Sequence, residues 1–337
     1  MSFSKLGIDL DDLPIRYGYH QGHPKLRELI AEDYEGLTAE NVVVTNGAAE
    51  ALFTLSAALL KPGDHVIVEH PNYPSNYEVP RSLGCKVDFL ELRFEKRFKP
   101  DITELENMIT PKTKFISITH PNNPTGSMIT KKTLEKLIEI AESNNCYLIS
   151  DKTYRELSFK DKLPPAASLS PKAISISTMS KAYGLPGIRI GWIATQDKKL
   201  IESIIAIREQ VTICNSAIGE AIAIHVLENK KKEILEYARK HAMKNLKIVE
   251  EWIERQSNIL EWIKPEAGVV AFPRFKNISI DPEKIYVTLA EKYKTFVIPG
   301  RCFEMDNYFF RIGYGGNTEN LTIGLKNIER ALRELIS

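Results

Sequence analysis

A lysine that follows a strand-like apolar run, and precedes a glycine-broken turn with an arginine eight residues on, is equipped for carbonyl chemistry. Lys181 is such a residue, in the stretch Ile174-Ser-Ile-Ser-Thr178-Met-Ser180-Lys181-Ala-Tyr-Gly-Leu-Pro-Gly187-Ile-Arg189-Ile-Gly-Trp192. Desolvation at the end of a buried strand disfavours the ammonium form and pulls the pKa down from about 10.4. The neutral amine so released is competent for imine formation. Thr178, Ser180 and Arg189 are residue types that hold a phosphate beside it. Taken by itself, the segment also reads as a surface lysine ahead of a Gly-Pro loop.

Four further motifs stand just after strand-like runs. Thr45-Asn-Gly47-Ala48-Ala49-Glu50 joins a strand to an apolar helix. There Gly47 permits a tight turn, and the amides of Ala48 and Ala49 face out of a helix N-terminus as an anion site. His70-Pro-Asn-Tyr73-Pro presents an aromatic ring that suits stacking on a flat heterocycle or ordinary packing. His120-Pro-Asn122-Asn123-Pro124-Thr125-Gly126 is a tight turn holding Asn123, whose amide can donate to a phenolate oxygen. Ser150-Asp151-Lys152-Thr153-Tyr154 ends an apolar strand on a carboxylate, which either caps a helix or pairs with a buried cation such as a pyridinium nitrogen.

These residues need a scaffold that gathers strand ends. Asn41–Thr45, His65–Glu69, Cys85–Leu90, Lys114–Thr119, Cys146–Ser150, Ala173–Ser177 and Ile190–Ala194 read as seven strands, many β-branched and apolar at successive positions, as in strands buried on both faces. Ala48–Leu60 and Lys131–Asn144 read as helices between them. The pattern predicts an α/β fold with a largely parallel sheet, whose ligands bind at the carboxyl ends of the strands. Ser216–Arg255 has almost no breakers and predicts one or two long helices leading to a smaller α+β domain from about Asn258, with strands at Val269–Phe272 and Tyr308–Ile312 and a closing helix from Glu319. The expected division is a short N-terminal segment (1–25), a large domain (26–230) and a small one (231–337) that includes the bridging helix.

At 337 residues, with 45 basic against 44 acidic side chains, the chain has no charge bias toward nucleic acid or a polyanion. Cys85, Cys146, Cys214 and Cys302 are widely spaced, which fits free thiols in a reducing cytoplasm better than a disulfide framework or a metal site. No signal peptide or membrane-length apolar run is evident, so a soluble cytoplasmic protein is expected.

In order and spacing the motifs resemble those of the class I/II aminotransferases, the fold-type I family of pyridoxal 5′-phosphate enzymes. Tyr17, in Arg16-Tyr17-Gly-Tyr-His-Gln-Gly22-His-Pro-Lys-Leu-Arg27, adds to the set by standing five residues before the glycine of a Gly-x-x-x-Leu-Arg motif. The resemblance runs from about residue 14 to the end. It implies that Lys181 holds the cofactor as an imine and moves the substrate α proton, and that Asp151 pairs with the ring nitrogen. Asn123 and Tyr154 would bond the phenolate oxygen, and Tyr73 would stack on the ring. Gly47, Ala48, Ala49, Thr178 and Arg189 would cradle the phosphate. Tyr17 would reach the phosphate of a neighbouring subunit in a homodimer, and Arg311 would pair with the α-carboxylate of the amino acid or 2-oxo acid.

Some positions depart from the family pattern. Lys152 stands where glutamate is usual, Ala49 replaces a common hydroxyl residue, and Tyr17 is reached almost at once, without the several dozen residues that usually precede it. Arg16, Arg81 and Arg155 lie near site motifs, but no motif identifies which residue would read a substrate side chain. Transamination is the leading expectation. An alternative keeps the cofactor and changes the outcome, by elimination and cyclisation as in enzymes resembling capreomycidine synthase, or by decarboxylation as in threonine-phosphate decarboxylases. A non-catalytic regulator on the same fold is disfavoured by Lys181, Asp151 and Arg311 and by the lack of room before Tyr17 for a DNA-binding segment.

Overall fold

The computed structural model describes residues 3–276 and 281–336. Seven strands form one sheet: β1 (Val42–Thr45), β2 (His65–His70), β3 (Lys86–Glu91), β4 (Thr113–Thr119), β5 (Tyr147–Asp151), β6 (Ala173–Thr178) and β7 (Gly191–Thr195). Their spatial order is β1-β7-β6-β5-β4-β2-β3, and β7 runs antiparallel to both neighbours while the other pairs are parallel. Every residue of β1, β2, β6 and β7 is buried. That is why these strands read as unbroken apolar or small-polar runs, with helices covering both faces.

Local signals set the helix ends. The Lys131–Ser143 helix begins where the Thr130 hydroxyl accepts the Thr133 amide at 3.1 Å, and buries Leu134, Leu137, Ile138 and Ala141, one face of a 3.6-residue period. The Ala48–Leu59 helix starts directly from Gly47 at φ +86° and stops before the Lys61-Pro-Gly63 turn. The expected long helical stretch is two helices, Ala217–Asn229 and Lys231–Arg255, parted at Lys230.

The 25-residue second helix spans roughly 37 Å and serves two cores. Its first turns pack Ile234 and Leu235 with Trp192, Ala182 and Tyr183. Its last turns pack Leu246, Val249, Trp252 and Ile253 with Phe275, Ile285, Phe310 and Leu325. The second core lies over short strands β8 (Leu260–Glu261), β9 (Val270–Ala271), β10 (Arg274–Phe275), β11 (Ile298–Pro299) and β12 (Phe310–Gly313) and the closing helix Thr318–Ile336. These strands are shorter than their apolar runs, and β12 begins at Phe310, after Phe309, which bridges Arg274 and packs its ring against Phe98 and Phe272.

Candidate active site

The predicted residues fall along one edge of the large sheet. Gly47 follows β1, Arg189 precedes β7, Thr178 and Lys181 end β6, Asp151 ends β5, Asn123 follows β4 and Tyr73 follows β2. One β12 residue, Arg311, joins them from the small sheet.

At the β1 end the chain turns into a helix whose first amides have no helical carbonyl to pair with. Gly47 is favoured by its positive φ, and a Cβ there would lie 2.5 Å from Arg189 Nη2, so any other residue would also displace this guanidinium. Arg189 is itself left-handed at φ +56°, and its Nη2 donates to the Asn46 carbonyl at 3.1 Å and its Nη1 to the Pro186 carbonyl at 2.9 Å. The Thr178 hydroxyl donates to the Ile190 carbonyl at 2.8 Å and stands 2.9 Å from Ser180 Oγ. Helix amides and a guanidinium thus form an anion cup, with hydroxyls at its rim.

Lys181 opens into a cavity of about 720 Å³ that also contains Tyr154 and Arg311. Its pKa is held below the ordinary lysine value, first by desolvation and then by the positive charges of Arg311 and Arg189. Its side chain is exposed by area, and water in the open cavity limits that shift. Asp151 is buried, and among the described residues its carboxylate is hydrogen-bonded by Thr153 alone, whose amide donates to Oδ1 at 2.9 Å. Burial therefore raises its pKa, and no cationic side chain among the described residues pairs with it. Tyr154 is buried against Gly268, and burial pushes its phenol up to about 12, against the opposing charge of Arg311.

Asn123 sits in a turn braced by Asn122, whose Oδ1 accepts the Thr125 amide at 3.1 Å and hydroxyl at 2.8 Å. Asn123 Oδ1 accepts Arg311 Nη1 at 2.8 Å, which leaves its amide nitrogen free to donate. The Arg311 guanidinium lies 5.3 Å from the Phe303 ring, and burial lowers its pKa. Tyr73, 38% exposed, is close enough for its hydroxyl to act electrostatically on both Tyr154 and Arg311.

Tyr17 is not brought to this cavity. It is 80% exposed and lines a separate cleft of about 920 Å³ between residues 8–23 and the Ala217–Asn229 helix. No motif marks a closed ring behind the cup, formed by Asn46, Glu50, Arg208 and Asn215. Its signal was present: Arg208 continues the buried stripe Leu200, Ile201, Ile204 of the Lys198–Val211 helix, where a charged residue needs a buried partner.

Lys152, next to Asp151, points away from the cup. Its ammonium group lies 4.4 Å from the centre of the Tyr34 ring and 5.9 Å from that of Trp192. Burial, then the charge of Arg155, lowers its pKa from 10.5 to about 7, against the opposing pull of Asp33. The unfolded chain therefore binds more protons than the folded one between about pH 7 and pH 10.5, and stability rises with pH across that window. The expected consequence is that Lys152→Met stabilises the apoprotein at pH 7 and below by roughly 2–4 kcal/mol and flattens this rise. Thermal midpoints of both proteins from pH 6 to 10 check it; parallel curves would show that Lys152 stays charged.

Comparison with known proteins gives a consistent picture. A sequence model described as Aminotransferase class I and II matches residues 15–328. The aspartate aminotransferase of Thermotoga maritima is 30% identical over 331 residues, covering 94% of this chain and 83% of its own. The capreomycidine synthase of Streptomyces vinaceus is 30% identical over 328 residues, covering 96% and 82%. A PLP-dependent aminotransferase from Streptococcus suis superposes with a TM-score of 0.92 at 31% identity, over 99% of this chain and 90% of that one.

Proposed function

The chain belongs to the class I and II aminotransferases, a family that works with pyridoxal phosphate, and we propose that Gly47, Ala48, Ala49, Thr178, Arg189, Lys181, Asp151, Asn123, Tyr154 and Tyr73 hold that cofactor while Arg311 holds the substrate. It is an aminotransferase, exchanging an amino group between an amino acid and a 2-oxo acid. What the residues offer fits the cofactor at three separated points: an anion cup at Gly47 and Arg189, an open amine at Lys181, and at Asp151 a buried carboxylate with no cationic partner among the described residues. The observation that carries the reading is that this amine shares a cavity with the Arg311 guanidinium.

When bound, the cofactor supplies a protonated ring that accepts the electron pair left when the α proton departs. Asp151 keeps the ring nitrogen protonated, because an anion beside a cation favours the charged form. Asn123 Nδ2 and the Tyr154 hydroxyl would donate to the ring oxygen, and Tyr73 would cover a face of the ring. Arg311 grips the α-carboxylate with the donors that Asn123 leaves free, which aims the α hydrogen toward Lys181 Nζ. Neutralising Arg311 removes one of the charges that depress the Lys181 pKa. Substrate binding would therefore make Lys181 a stronger base toward the proton at Cα.

Half-reactions read by absorbance, with a panel of amino donors followed by pyruvate or 2-oxoglutarate, test this directly. Formation of a 2-oxo acid and re-amination of the acceptor are expected. The kinship with capreomycidine synthase supports a second outcome on the same site, which would appear as a cyclised or eliminated product with no amino transfer. The free thiols of all four cysteines support a cytoplasmic location, and among the described residues no helix is long and apolar enough to cross a membrane.

The active unit in this reading is a homodimer with shared sites, supported by the exposure of Tyr17 away from its own Lys181 cavity. Inactive Tyr17→Arg and Lys181→Ala parents, mixed after partial unfolding, should recover about a quarter of the parent activity, since half of random dimers carry one intact site. Mixed dimers with no recovered activity would contradict sharing.

A further inference from the structure

The ring behind the anion cup is built around a single guanidinium with no solvent exposure. Arg208 Nε donates to Glu50 Oε1 at 3.1 Å and Nη2 to Asn215 Oδ1 at 2.8 Å, while Nη1 donates to the His20 carbonyl. Glu50 also accepts the Asn46 amide and, at 2.6 Å, the Thr212 hydroxyl. Asn215 Nδ2 closes the ring on Asn46 Oδ1 at 3.1 Å. With Arg189 on its carbonyl, Asn46 has its amide, its carbonyl and its side-chain oxygen all assigned.

A buried ion pair adds little to fold stability, because desolvation offsets its attraction. A planar fork with donors in fixed directions is instead suited to setting geometry. What this fork sets is the residue before Gly47, and through it the carbonyl that steers Arg189. Its third arm reaches the segment of Tyr17, where the Gly18 amide also meets Cys214 Sγ at 3.4 Å and His20 Nδ1 lies 2.5 Å from Glu209 Oε1. One helix and its following loop thus hold both the cup and the Tyr17 segment. The loop bends through Ile213 at φ +61°, a strained state for a β-branched residue.

We propose that Arg208 is a positioning residue for the cofactor phosphate. Through Glu50 and Asn215 it sets the Asn46–Gly47 turn and Arg189, and through His20 it ties that turn to the segment carrying Tyr17. Phosphate occupancy of the cup and placement of Tyr17 then change together. The inference rests on the pyridoxal phosphate reading above.

The test titrates apoprotein, parent and Arg208→Lys, with pyridoxal phosphate and with pyridoxal, which lacks the phosphate. Lysine keeps the charge but cannot supply the fork. The expected result is a Kd for pyridoxal phosphate raised about tenfold or more, as for loss of one bond to a charged group, with pyridoxal changed less than about twofold. Hydrogen exchange over residues 17–22, slowed by pyridoxal phosphate in the parent, should stop responding in the variant. Equal weakening of both ligands, or unchanged pyridoxal phosphate affinity, overturns the proposal. Exchange at 17–22 that ignores pyridoxal phosphate in the parent overturns the link to Tyr17. If Arg208→Lys does not fold, Asn215→Ser opens the ring at its neutral link and is judged by the same selectivity for the phosphate. A parent that binds neither ligand removes the cofactor reading itself, an outcome distinct from a loss of selectivity.

Discussion

Alanine at position 181 is expected to abolish turnover and the visible absorbance of the bound cofactor while leaving the fold intact. Two contributions vanish together. In the proposed reading the amine would be both the covalent attachment point for the cofactor aldehyde and the base that moves the α proton, a role worth about 10²–10⁴ by itself. The fold should survive because the side chain is exposed in its cavity and makes no hydrogen bond or ion pair with the described residues. The apoprotein should melt at the parent temperature. Turnover at the parent rate would remove Lys181 from the mechanism.

The second large effect concerns Asp151→Asn. The amide matches the carboxylate in shape and can still accept the Thr153 amide at Oδ1, but it cannot offer charge to the ring nitrogen. An opposite charge at contact sustains a pKa by about one to three units, so the protonated fraction of the ring should fall about ten- to a thousandfold. A comparable fall in kcat is expected, with cofactor still bound. Stability should move the other way. Burial raises the Asp151 pKa, so the ionised group is a cost to the apoprotein above its unfolded pKa, and asparagine should melt no lower at pH 8. A kcat within a few-fold of the parent would show that Asp151 does not pair with the ring nitrogen.

The extent to which the chain was legible follows from which forces leave a local trace. Residues such as Val42, Val43 and Val44 announce their strand because burial on both faces demands unbroken apolar runs. Motifs placed after those runs inherit a position at the sheet edge, as Asp151 and Asn123 do. Strand direction leaves no such trace: nothing in Gly191-Trp-Ile-Ala-Thr195 distinguishes an antiparallel strand from a parallel one. The break at Lys230 was hidden for a related reason, since no proline or glycine marks it. Side-chain meetings between distant segments were the least visible. Glu50 and Arg208 are 158 residues apart, and each alone reads as an ordinary charge on a helix. Lys152 stands out in the sequence only as a departure from a family pattern, because its enclosure by Tyr34 and Trp192 depends on three separate elements.

The reversed direction of β7 has a consequence for how precisely the site is assembled. A parallel successor to β6 would need a crossover of a dozen or more residues ending at the opposite edge of the sheet. Because β7 returns antiparallel, the chain from Thr178 to Gly191 leaves and re-enters the sheet at the same edge. Lys181 and Arg189 therefore ride on one twelve-residue loop that closes on a single edge, and their separation is a property of local chain closure. The spacing from Lys181 to Tyr73 has no such protection, since it passes through β5, β4 and β2 and accumulates every error in strand packing. Tolerance to substitution should be graded accordingly: loosening the β2–β3 edge degrades ring stacking first, while the distance between amine and guanidinium is the last dimension of the site to drift.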